Sequence, residues 1–222
     1  MSAKTAPRRA PDVLAKYAGQ TVVAVGAHPD DLELGLGGTL KRLSDAGARV
    51  VMAVVSIPSD RESRIKEANA AARILGGETH FLTPDRTMRV EDLKNHELVG
   101  MMDGLVKQYE PAALFTHSLA NLHKDHKLVH EACMSSQRLR YFDLFCYPPT
   151  SCHAINVQFN AHAYIDISPV IDAKMRAIRM HSTQFARRGL KTDHYREASS
   201  RVGQIVGVPY AESLEIVRMR LN

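Results

Sequence analysis

The stretch VVAVGAHPDDLELGLGG, residues 22–38, decides how the chain is read. A valine-rich run stops abruptly at His28-Pro29-Asp30-Asp31 and then meets Gly35, Gly37 and Gly38. A short, continuous apolar run marks a strand buried on both faces, as in a parallel sheet. In open α/β sheets, ligands gather beyond the carboxyl ends of the strands. A histidine and two adjacent carboxylates stand at that place here.

The same alternation continues along the chain. Further apolar runs at 48–56, 79–82, 112–118, 143–148, 163–168 and 213–219 read as strands. Amphipathic or alanine-rich segments at 37–47, 61–77 and 89–110 read as helices. Another helix is expected to begin near Asp125, and a last one to span 169–185, opening on a proline. Strands alternating with helices predict a single α/β domain over 21–222, a mostly parallel sheet with helices on both faces. Residues 1–20 read as a basic N-terminal extension. The polar cluster at His28 and the histidines from His117 to His126 both follow predicted strand ends, so they are expected to face one crevice.

Composition narrows the partners. The chain has 222 residues, 45% of them hydrophobic and 24% charged, as in a globular enzyme. The net charge of +5 includes no run of cations longer than two, which argues against a nucleic-acid surface. Cys133, Cys146 and Cys152 are irregularly spaced and imply no disulfide framework. The first 20 residues lack the apolar core of a secretory signal, and no apolar run is long enough to span a bilayer, so the cytoplasm is the expected location.

Imidazole and carboxylate are good ligands for a divalent metal, and a catalytic site uses about three protein groups and keeps one position open. Pro29 stiffens the turn, so His28 and Asp31 can converge on one ion while Asp30 points elsewhere. In His123-Lys124-Asp125-His126, one histidine can ligate while the other faces a substrate. Singly, each piece has a plainer reading: a hydrogen-bonded histidine, aspartates at a helix start, a solvated face. Their coincidence at matching strand ends favours a metal site. A nucleotide-binding module is the competing reading, but the glycines do not follow G-x-G-x-x-G and the turn carries carboxylates that repel a pyrophosphate. Serine or cysteine nucleophilic catalysis lacks a G-x-S-x-G elbow.

Two stretches, AHPDDLE (27–33) and HKDH (123–126), resemble the paired motifs of the LmbE/PIG-L superfamily of metal-dependent N-deacetylases. Arg64, Glu67, Ala71, Leu75 and Gly76 match the family's R-x-x-E-x-x-x-A-x-x-x-L-G helix. Lys174, His181 and Gln184 loosely match its K…H-x-S-Q segment, with Thr183 in place of the serine. The resemblance implies a Rossmann-like sheet, one zinc ion per chain, and removal of acetyl groups from N-acetylated amino sugars or their conjugates. By the same resemblance His28, Asp31 and His126 are the metal ligands and Asp30 the general base. His123 is then the electrophilic or acidic histidine, and Asp125 the carboxylate that orients it and raises its pKa. Arg64 is expected to contact substrate, as is Asn121, which stands where some relatives carry a tyrosine. A metal-dependent amidase acting on a non-sugar amide is the alternative, and homo-oligomer formation is left open. The segment 146–162 reads as a specificity loop. Arg187, Arg188, Lys191 and Arg196 would meet a phosphate if their segment folds over the crevice.

Overall fold

The computed structural model describes residues 12–85, 87–149 and 158–220. Its strands are β1 (Thr21–Gly26), β2 (Arg49–Val54), β3 (Glu78–Phe81), β4 (Ala113–His117), β5 (Asp143–Tyr147), β6 (Ala163–Asp166) and β7 (Ala211–Arg218). The α-helices are α1 (Asp31–Asp45), α2 (Arg61–Leu75), α3 (Asn95–Tyr109), α4 (Lys124–Ser136), α5 (Ile171–Met180) and α6 (Asp193–Val206). The strands form one seven-stranded sheet in the order β3-β2-β1-β4-β5-β7-β6. Neighbours from β3 to β5 pair in parallel, and β7 runs antiparallel to both β5 and β6. From β1 the chain steps outward to β2 and β3, then crosses back to lay β4 on the other side of β1. That reversal opens a crevice above the carboxyl ends of β1 and β4.

Both faces of the sheet are covered, as expected. In β1, Val22 and Ala24 pack with leucines of α1 and alanines of α2, while Val23 and Val25 pack with α3 and α4. A 3₁₀ turn, Val13–Tyr17, buries Leu14 and Tyr17 in the first of these cores.

The elements differ from the sequence expectations at four places. Helix α1 begins at Asp31 rather than near residue 37, so the glycines lie inside it. Glycine weakens a helix, but here it permits close packing, as expected. A Cβ on Gly35 would come within 2.5 Å of the Tyr147 ring, and one on Gly38 within 2.6 Å of Ile167. The segment expected to be helical from residue 89 opens with a separate 3₁₀ turn, Val90–Asp92, ahead of α3. Helix α5 stops at Met180, and the residues after it turn back toward the crevice. Helix α6 was not anticipated at all. It is polar along most of its length, with only Ser199 and Gly203 buried.

Asp143, at the start of β5, ties the amino-terminal turn to the end of the chain. Its carboxylate accepts from Lys16 Nζ at 2.6 Å, Tyr17 Oη at 2.8 Å, Tyr141 Oη at 3.0 Å and the Arg220 backbone N–H at 3.0 Å. Burial pushes its pKa up, but these donors outweigh it and hold it below the ordinary carboxylate value. A depressed folded-state pKa contributes stability above the unfolded value, near 4, that is lost as pH falls through the lower folded value. Asp143→Asn is expected to cost about 1–3 kcal/mol near neutral pH and to flatten the acid limb of a thermal-melting profile against pH.

Candidate metal centre

The His-Pro-Asp-Asp turn leaves β1 and enters α1 in one tight reversal. Asp31 Oδ2 accepts the His28 backbone N–H at 2.8 Å, and Asp30 adopts φ 102°, a left-handed conformation that side-chain-bearing residues rarely take. Arg64, on α2, braces this turn from outside. Its Nη2 donates to the Pro29 carbonyl at 2.8 Å and lies 3.5 Å from Asp30 Oδ1.

Asp31 is the hub of the cluster. Its carboxylate is buried and lies 3.3 Å from His126 Nε2, 3.3 Å from His117 Nε2 and 3.7 Å from His28 Nδ1. Burial would raise its pKa, but His126 and His117 outweigh that and hold it well below the usual carboxylate range. The rings form a stack: His117 lies 3.9 Å from His126 and His123 lies 4.6 Å from His126 on the other side. Two overlapping trios have ligand atoms all within 4.8 Å of one another, namely His28, His123 and His126, and Asp31, His117 and His126. Imidazole nitrogens converging with a buried carboxylate oxygen are the donor set that borderline divalent ions prefer.

His117 received no role from the sequence, although it was visible as a histidine closing an apolar strand. It is completely buried at the end of β4, and its Nε2 accepts the Ala27 backbone N–H at 3.0 Å. Burial, aided by the neighbouring His126, pushes its pKa down to about 4, so the ring is neutral. Tyr147 Oη, also buried, sits 3.0 Å from the same nitrogen and donates to the Val25 carbonyl at 3.0 Å.

The expected partnership of Asp125 with His123 is corrected. The Asp125 carboxylate lies on His28 Nε2 at 3.0 Å and accepts from the Val90 N–H at 3.3 Å. His123 instead caps α4, its Nδ1 accepting the Asp125 backbone N–H at 3.2 Å. Desolvation, then His126 and His28, push the His123 pKa below its ordinary value and outweigh the opposing pull of Asp125. Asn121 is buried and orients both histidines of the motif. Its Oδ1 accepts the His123 N–H, and its amide nitrogen lies 3.0 Å from His126 Nδ1.

Asp30 stands apart from the imidazole stack. Burial, then the nearby Asp31 charge, raise its pKa to about 6, against His181, Arg64 and His28. It lines a cavity of about 650 Å³ with His28, His123, His126, Arg64 and Arg188. Behind it, Glu67 clamps the segment that follows α5. Its carboxylate accepts from Ser182 Oγ at 2.7 Å, Thr183 N at 2.9 Å and Thr183 Oγ1 at 2.6 Å. Thr183, which stands at the serine position of the expected motif, supplies a hydroxyl to this clamp. His181 is fully buried, 3.3 Å from Glu33.

The PIG-L family model, described as GlcNAc-PI de-N-acetylase, matches residues 23–136, just over half the chain and every residue of the cluster. The chain belongs to the PIG-L (LmbE-like) family. Diacetylchitobiose deacetylase of Thermococcus kodakarensis is 26% identical over 227 residues, covering 88% of this chain and 82% of that protein. Among solved structures, the conserved protein TT1542 from Thermus thermophilus superposes with a TM-score of 0.77 at 24% identity, over 91% of this chain and 96% of that one. GalB, the 4-carboxy-2-hydroxymuconate hydratase of a Pseudomonas, superposes with a TM-score of 0.71 at 18% identity, over 91% and 98%. That likeness shows the fold alone, and it shows that the fold hosts more than one reaction. Among the described residues, no helix is long and apolar enough to cross a membrane.

His126 belongs to both ligand trios, so its loss should be felt most. The purified protein is expected to bind about one divalent ion per chain, and His126→Ala to lose most of it while remaining folded. Elemental analysis with circular dichroism checks this. Full metal occupancy in the variant would exclude His126 as a ligand.

Proposed function

We propose that this chain is a zinc-dependent N-deacetylase that removes the acetyl group from an N-acetylated amino sugar or its conjugate. One observation carries the reading: a single cavity joins the histidine–aspartate cluster to a second carboxylate, Asp30, which that cluster does not engage. Family membership and the deacetylase relative support the amide as the bond attacked. The nucleotide-binding reading is disfavoured because the first turn of α1 carries two buried acids, Asp31 and Glu33, where a phosphate would need bare N–H groups.

His28, Asp31 and His126 would hold the ion, with His117 beside them as a neutral spacer. Asp125 would fix the His28 ring through Nε2, leaving Nδ1 toward Asp31, an outer-shell arrangement common among metal-binding histidines. The ion's chemical contribution is Lewis-acid polarisation of the amide carbonyl and of water.

The chain's own groups do the rest. Asp30 is held by burial near the pKa of a useful base and takes a proton from the attacking water. His123 is neutral, and its Nδ1 is engaged by the α4 cap, so its proton resides on Nε2. From there it donates to the oxygen that gains charge. Asp30 or His123 returns a proton to the leaving amine. Arg64 limits Asp30 to one orientation, and Asn121 does the same for His123 and His126.

Acetate release from N-acetylglucosamine and its conjugates, measured with zinc-loaded protein, tests the reading. Asp30→Asn is expected to keep its metal while kcat falls by about two to four orders of magnitude. Turnover like that of the native protein would exclude Asp30 as the base. Absence of acetate release from every N-acetylated sugar would leave the non-sugar amidase as the better account.

A further inference from the structure

Helix α6 turns its apolar residues toward a cavity rather than into the core. Tyr195, Ala198 and Val202 recur at i, i+3 and i+7, the spacing of one helix face, yet the residues the helix buries are Ser199 and Gly203. All three line a second cavity, of about 370 Å³, bounded on its other sides by Leu34, Pro148 and Pro149. Leu34, in the first turn of α1, also lines the catalytic cavity, so its side chain is a wall common to both. Pro148 follows β5 directly, and β5 is the neighbour of β4 in the sheet. The second cavity therefore lies beyond the carboxyl end of β5, beside the crevice that holds the histidines.

Most polar groups in its lining are already used by the protein. Lys174 and Glu212 are 3% and 4% exposed and meet at 2.6 Å. Glu212 also accepts from Gly38 N at 2.9 Å and from Thr39 N at 2.7 Å. Ser199 Oγ donates to the Tyr195 carbonyl at 3.0 Å. His194 lies against the Tyr195 ring at 4.0 Å with its Nε2 buried, and Arg201 is exposed. Polar groups satisfied within the protein gain little from a ligand, so what the cavity offers is apolar surface. That surface is also held in place. Leu34 and Tyr195 pack on one apolar cluster with Ile167 and Phe185, and the Tyr195 ring meets Phe185 edge-on at 5.9 Å. A wall fixed in advance loses less freedom on binding than a loose one.

We infer that the cavity between α6 and Leu34 is a subsite for an apolar alkyl or aryl group linked to the sugar beside the scissile amide. The inference rests on the deacetylase reading and names the class of conjugate. A concave, mostly apolar space of this size is what such a group needs, and an aromatic ring buries a large area against walls like Tyr195 and the two prolines.

The test compares kcat/KM for the methyl, hexyl and phenyl glycosides of N-acetylglucosamine, and for N,N'-diacetylchitobiose, in zinc-loaded native protein, Ala198→Trp and Val202→Asp. Ala198 is exposed, so Ala198→Trp fills the cavity without disturbing the core. We expect at least one apolar glycoside to exceed the methyl glycoside by about tenfold in native protein, and diacetylchitobiose to stay within about twofold of it. Both variants should bring the apolar ratios to within about twofold. Whether hexyl or phenyl leads distinguishes alkyl from aryl. A native preference for diacetylchitobiose over both apolar glycosides, or an apolar preference that survives both variants, overturns the inference. Calorimetry with the corresponding methyl, hexyl and phenyl glucosaminides decides it apart from turnover. Tighter binding of an apolar glucosaminide to native protein, with a more negative heat-capacity change and loss of both in the variants, is the expected result. That pattern without acetate release from any glycoside would support the subsite and count against the deacetylase reading. Equal affinity for all three glucosaminides in native protein would overturn the subsite.

Discussion

A buried carboxylate among imidazoles is the interaction on which the rest of this structure depends. Asp31 lies in the first turn of α1, out of water, within 3.3 Å of two histidines and 3.7 Å of a third. An isolated charge at such a depth is too costly to persist, so it is retained only with partners. Those partners arrive from different parts of the chain: His28 from the end of β1, His117 from the end of β4, His126 from α4. The crossover that places β4 beside β1 is what brings them together. The site is thus a consequence of strand order, and strand order is a consequence of where the apolar runs fall.

The helix that carries Asp31 is secured at its start and along its length. At its start, Arg64 holds the turn in which Asp30 takes its left-handed conformation. Midway, Glu212 from β7 accepts from Gly38 N at 2.9 Å, Thr39 N at 2.7 Å and Lys174 Nζ at 2.6 Å, all buried. Gly35 and Gly38 let Tyr147 and Ile167 approach the helix, and Tyr147 in turn reaches His117. Positioning of the cluster therefore rests on contacts well outside it.

Much of this was legible in the sequence because the informative residues are local. The apolar strand and the acid-rich turn that follows it are contiguous at 22–31, and periodicity placed most elements within a few residues. What stayed hidden is what depends on side-chain direction. The Asp125 carboxylate turns to His28, ninety-seven positions away, while its own backbone serves His123. His117 reads as the polar end of a strand until the fold stacks it on His126. Helix α6 carries a short apolar stripe, Tyr195, Ala198 and Val202, but it is interrupted by charges and buries only Ser199 and Gly203, so it reads as a solvated segment. Helix α1 starts six residues before the expected 37, at Asp31, because the acidic turn itself forms its first turn. The extension before residue 12 and most of the central part of the stretch expected to form a specificity loop, 150–157, lie outside the described residues.

Asp31 and the imidazoles around it are proposed to form one binding site for a divalent ion. Anomalous diffraction from zinc-loaded crystals, collected on either side of the metal's absorption edge, tests it most directly. A single peak is predicted within about 2.0–2.2 Å of an Asp31 oxygen and of nitrogens from His28 and His126, with the Asp125 carboxylate still on His28. A peak elsewhere on the molecule, or none at Asp31 in protein that retains stoichiometric zinc, would contradict the account.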